Sequence, residues 1–172
     1  KLLQSFLVDR SDLDLVVGEN HIQAFFESVK VSTRLINDQY PDYEKVIPKN
    51  NENKITVNTK KLTGSLKRVS VFSNKKTKQA VLNIKENSIK ISAEDAETAA
   101  SAKETITCDQ EGPLEEIVIA FNGDYLKEIL DKTKTEETIL LIKDALSATL
   151  IVPKKEENES NKISLLMPIR LN

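Results

Sequence analysis

The residue types that could run a reaction are few in this chain of 172 residues, and their spacing does not assemble a reactive set. Asp9, Asp12 and Asp14 come nearest to a metal-binding carboxylate cluster, but the glycine and closing glutamate of a calcium loop are missing. On an extended chain, alternation of faces also sets Asp9 apart from the other two, so solvated edge charges are the expected reading. His21 is the sole histidine, and it sits beside a hairpin turn where a catalytic triad would have no suitably placed base. Cys108 is the only cysteine, which excludes an internal disulfide and a thiolate metal cluster and fits a reducing compartment. The four glycines form no phosphate-cradling loop. Neither catalysis nor a metal nor a cofactor is expected. The chemistry that remains is binding, by cations on helix faces and by apolar and aromatic residues set around prolines.

Composition bounds that binding. With 39% hydrophobic and 30% charged residues the chain is long enough, at 172 residues, for one full domain and part of another. A net charge of -2 argues against a surface coated for nucleic acid, so any DNA contact must be local. No apolar run approaches the ~20 residues of a membrane span, and no basic-then-apolar leader opens the chain, so a cytosolic protein is expected.

These binding residues need elements to hold them. Leu2 to Leu7 has helical spacing and looks like a helix cut in half. Leu13–Val17 and His21–Phe26 read as strands around the turn Gly18-Glu19-Asn20, and Val29, Val31, Thr33 and Leu35 make one face of a third. After Pro48 the pattern is a strand at Lys54–Asn58, a helix from Thr59 to Phe72 with Leu62, Leu66, Val69 and Phe72 near one face, then strands at Gln79–Ile84, Ser88–Ser92 and Glu104–Cys108. Glu94 to Ala102 reads as a flexible loop or a frayed edge strand. The plan recurs: strand Ile117–Phe121, helix Gly123–Lys132, and strands Thr138–Ile142, Ala148–Val152 and Ile163–Met167. Leu62 and Leu126 occupy matching places in their helices. The fold class is therefore α+β, a repeated strand-helix-three-strand unit with a period of roughly 60 residues, whose first copy lacks its opening strand. The expected domains are 1–47, a truncated half ending in a crossing, and 48–172, complete.

That crossing, Gln39-Tyr40-Pro41-Asp42-Tyr43-Glu44-Lys45-Val46-Ile47-Pro48, is bracketed by two prolines that stop helix and ladder alike, and its tyrosines favour a packed linker. It resembles the interdomain crossing of the bacterial DNA polymerase III β subunit, the sliding-clamp family, and the tail Leu166-Met167-Pro168-Ile169-Arg170-Leu171 resembles that family's C-terminus. The resemblance implies a DNA-clamp fold, with antiparallel sheets outside and helices lining a channel, and a chain that is the C-terminal portion of the clamp polypeptide. It implies a non-catalytic processivity factor, cytoplasmic and at the nucleoid, that encircles duplex DNA without reading sequence. Partners implied are the polymerase III α subunit, the clamp loader and repair polymerases, docked through short linear peptides, and a second copy of the clamp in a head-to-tail homodimer that this piece could not close alone.

Residue by residue, the family's peptide pocket falls here on Pro41, Lys45, Val46, Asn122, Tyr125, Leu166, Met167, Pro168, Ile169 and Arg170. Met167 would be adaptable lining and Tyr125 a ring with a polar tip; Lys45 stands where arginine is common, and Asn172 extends the usual tail. A family stretch that supplies one wall is absent, so weakened peptide affinity is expected. The DNA-facing cations would be Lys60, Lys67, Arg68, Lys127 and Lys132, which by helix spacing alone read as solvated faces. The interface between clamp copies falls on Val71 and Phe72, although Phe72 could instead complete the helix core. The competing class is a small interaction domain unrelated to replication, and a metal-dependent nuclease is more distant.

Overall fold

Pairing of alternating strands builds two compact units, residues 1–42 and 43–172, in the computed structural model, which describes residues 13–26, 28–40, 42–154 and 162–171. The helix expected at Leu2 to Leu7, like Asp9 and Asp12, lies outside the described residues.

In the first unit β1 (Asp14–Val17), β2 (His21–Phe26) and β3 (Val29–Arg34) form an antiparallel meander. The Gly18 N–H donates to the His21 carbonyl at 2.8 Å and closes the expected turn. Ala24 is the one buried hydrophobic residue described in this unit, while Leu15, Val16 and Val17 are all exposed. The apolar row on the third strand is only half realised: Val29, Val31 and Leu35 are partly buried and Thr33 is exposed.

The second unit opens on a one-turn helix, α1 (Tyr43–Val46). The crossing is not packed as expected, although helix stays between its two prolines. Proline restricts itself and the residue before it, which leaves Tyr43 to Val46 free to turn, and Tyr40 and Tyr43 are 81% and 58% exposed.

Beyond it, β4 (Asn53–Asn58) leads into α2 (Thr59–Val69) and a 3-10 turn at Ser70–Phe72. Strands β5 (Gln79–Lys85), β6 (Ser88–Asp95), β7 (Ala100–Thr107) and β8 (Asp109–Glu111) follow. The repeat then runs β9 (Glu116–Asn122), α3 (Gly123–Asp131), β10 (Glu137–Ile142), β11 (Thr149–Pro153) and β12 (Ser164–Leu166). Both α2 and α3 start on an asparagine that ends a strand, and the two asparagines cap the same way. Asn58 Oδ1 accepts from the Lys61 N–H at 3.0 Å, and Asn122 Oδ1 from the N–H groups of Asp124 and Tyr125 at 3.0 and 3.2 Å.

The two repeats exchange their leading strands. One sheet has the order β12-β11-β10-β4-β8 and the other β7-β6-β5-β9, so β4 joins the strands of the second repeat and β9 those of the first. Leu62, Leu66 and Val69 of α2 and Leu126 and Leu130 of α3 pack with both sheets in one core. Each such leucine contributes about 2 kcal/mol by leaving water.

Three elements differ from the sequence reading. Phe72 is 42% exposed, because the helix gives way after Val69 to a tighter turn that carries it off the Leu62 face. Glu94 to Ala102 is no loose loop: β6 runs to Asp95 and β7 starts at Ala100, around a four-residue turn. The short β8 was not foreseen; its neighbour Gly112 has φ +129° and lies so close to Asn53 that an added Cβ would stand 2.7 Å from the Asn53 Cα. No helix among the described residues is long and apolar enough to cross a membrane.

Candidate functional site

The tail is positioned by backbone geometry. After pairing with β11, the chain leaves β12 and meets the free edge of β9, where the Ile169 N–H donates to the Ala120 carbonyl at 2.7 Å. Continuing that antiparallel register by two residues sets Met167 opposite Asn122, from which α3 starts. The bridge thus brings the tail beside the start of α3.

At this junction Leu166 is 8% exposed and belongs to the core, whereas Met167 and Tyr125 are 59% and 61% exposed. Pro168 and Ile169 are half-buried and Arg170 is exposed. Asn122, besides capping α3, donates through Nδ2 to the Thr77 carbonyl at 3.4 Å, so its side chain is committed to structure. Lys45 and Val46 stand on α1, both exposed. Pro41 lies outside the described residues.

Beside the junction runs a groove of roughly 410 Å³ between α3 and β12, lined by Tyr125, Glu128, Ile129, Lys132, Lys162, Ser164, Leu165 and Leu166. Only Tyr125 and Leu166 of this set are residues that the family resemblance assigns to a peptide pocket. Ile129 and Leu165 escape sequence reasoning because each reads as ordinary helix or strand core.

The cations expected to face DNA are mostly engaged. Lys67 lies 3.5 Å from Asp131, Lys127 3.2 Å from Asp124 and Lys132 2.8 Å from Glu128. Exposed pairs of this kind contribute little to stability but do cancel charge locally. Arg68 forms a fork with Glu104 of β7, Nε to Oε1 at 2.6 Å and Nη2 to Oε2 at 2.7 Å. The Arg68 guanidinium, followed by Ser65, pulls the Glu104 carboxyl down to about 2. Lys60 is exposed.

Val71 is 77% exposed, and the turn that carries it and Phe72 packs beside β6 and β7. Phe72 therefore does not complete the helix core. Cys108 is buried, and that burial, with Asp109 alongside, pushes its thiol up to about 11, far from a reactive thiolate. Among the described residues no group of three or more His, Cys, Asp or Glu could hold a metal ion.

Comparison with known proteins converges on one family. The profile for the DNA polymerase III beta subunit, C-terminal domain, matches residues 44–170. Beta sliding clamps of Proteus mirabilis and Haemophilus influenzae are 30% and 29% identical over 92% and 91% of this chain, and the matches cover 42% and 41% of those proteins. Among solved structures, a sliding clamp from Bartonella birtlesii bound to griselimycin aligns with a TM-score of 0.79 and 27% identity over 99% of this chain and 44% of that one. The DNA polymerase III beta subunit of Thermotoga maritima aligns with a TM-score of 0.74 and 26% identity over 96% of this chain and 43% of that one. The chain spans less than half the length of these relatives.

Proposed function

Because the chain belongs to the family of C-terminal domains of the DNA polymerase III β subunit, we propose that it serves as the tethering and ring-closing portion of a sliding clamp. The clamp encircles duplex DNA and holds the replicative polymerase α subunit, the clamp loader and repair polymerases to it through short peptides. It is a non-catalytic processivity factor of the cytoplasm and nucleoid.

One observation carries the tethering role. Met167 and Tyr125, large and apolar, stand exposed on two segments that the Ile169–Ala120 bridge pins together. An adaptable thioether beside an aromatic ring suits an apolar peptide anchor, and Pro168 and Ile169 give it a stiff wall. Lys45, Val46 and Arg170 supply the rim. Val71 and Phe72 present the apolar pair that meets the first domain of the next clamp copy in the head-to-tail ring, and two domains make up this chain, divided near residue 47.

Griselimycin, carried by the Bartonella clamp, is a ready probe. Calorimetric titration should give saturable binding to this chain and loss of it in a Met167→Ala, Tyr125→Ala variant. Binding that the variant leaves unchanged would place the ligand elsewhere and remove the basis for the tether.

A further inference from the structure

The groove between α3 and β12 runs on from the tethering residues and changes character along its length. Tyr125 and Leu166 belong to both. Tyr125, Glu128, Ile129 and Lys132, spaced three and four apart, line one wall from a single face of α3, and Ser164 and Leu165 of β12 line the other. Ile129 and Leu165 are half-buried, so the middle of the groove is apolar.

Its far end is cationic. Lys132 and Lys162 stand there with one carboxylate, Glu128, whose Oε1 lies 2.8 Å from the Lys132 Nζ. Lys162 Nζ donates to the Lys132 carbonyl at 2.8 Å, which sets its ammonium at the C-terminal end of α3 and offsets the negative end of the helix dipole. That carbonyl takes one of three N–H donors, and both lysines are exposed. Two cations to one anion make this end complementary to an added carboxylate.

We propose that the groove takes the flank of a docked peptide and selects an acidic residue in it. The span from Tyr125 to Lys132 is about 10 Å along the helix, which an extended peptide covers in about three residues. The occupant is therefore a segment with an aspartate or glutamate about three residues from the apolar side chain that meets Tyr125 and Met167. The inference rests on the tethering reading and adds a charge preference to it. Neither Lys132 nor Lys162 is among the residues that the resemblance assigns to the pocket.

The probes are two labelled peptides, Asp-Ser-Ser-Leu-Phe-Ser-Ser-Asp and the same sequence with asparagine for both aspartates, titrated by anisotropy at modest salt. The chain should bind the acidic peptide about threefold more tightly, the size expected of exposed charge pairs. Lys132→Gln with Lys162→Gln should bring the two affinities together, and Glu128→Gln, which removes the competing carboxylate, should widen the gap. Lys85→Gln, on the β5–β6 turn, should leave the preference intact; its loss there too would mean bulk charge and overturn the groove. Equal affinities in the wild type, or a preference that survives removal of both lysines, would overturn the charge selection while the tether stands. Acidic-peptide binding that survives in the Met167→Ala, Tyr125→Ala variant would overturn the anchor and with it the tether. If neither peptide nor griselimycin binds the chain, both readings fall. Circular dichroism of each variant separates these outcomes from misfolding.

Discussion

Arg68 and Glu104 show how a single pairing changes the role of a side chain. Helix spacing places Arg68 off the Leu62 face, and the resemblance makes it a DNA contact; the folded chain instead forks it to a carboxylate 36 residues away. No pattern within one helix reveals a partner on a distant strand. The pair makes a pH prediction. Glu104 titrates near 4.5 when free and at about 2 when folded. A depressed carboxyl stabilises the fold above the free value, and that contribution is lost as pH falls from about 4.5 towards 2. Asp95 and Asp144 are shifted in the same direction by their own hydrogen bonds, so acid should destabilise the wild type steeply and Glu104→Gln less steeply. Thermal midpoints measured across that range check this; curves of equal slope would count against the fork.

Elements with a clean period were legible. Leu62, Leu66 and Leu126 announced the helices, and β-branched alternation announced β5, β9 and β10 with boundaries off by a residue or so. Between Glu94 and Ala102 the edge-strand alternative fits β7 and the loop alternative does not, and the ambiguity has a physical cause. Ala93 and Asp95 are buried at 4% and 8% exposure, yet neither reads as an inward strand residue. Asp95 tolerates burial because Asn74 Nδ2, the Glu97 N–H and the Thr98 hydroxyl all donate to its carboxylate. The path of the tail was equally hidden, since it is set by one backbone bond across sheets. Replacing Ile169 by proline removes the N–H given to Ala120. The variant should lose about 1 kcal/mol of stability and much of its griselimycin affinity, because Met167 is no longer pinned beside Tyr125. A calorimetric titration with affinity intact would show that the bridge does not organise the site.

At the scale of the whole molecule, the two units differ in how much they bury. The first has Ala24 as its one described buried hydrophobic, against an extensive shared core in the second. Amide hydrogen exchange should therefore be much faster in β2 than in β5, although both are central strands; equal protection would contradict this. The exchange of leading strands has a consequence for synthesis. β4 takes β8 on one side but waits on the other for β10, some 80 residues later in the chain. While the ribosome is still making α3, the founding strand of that sheet has one edge open, and the first repeat cannot be finished before the second has emerged. The later repeat of the second unit completes the earlier one.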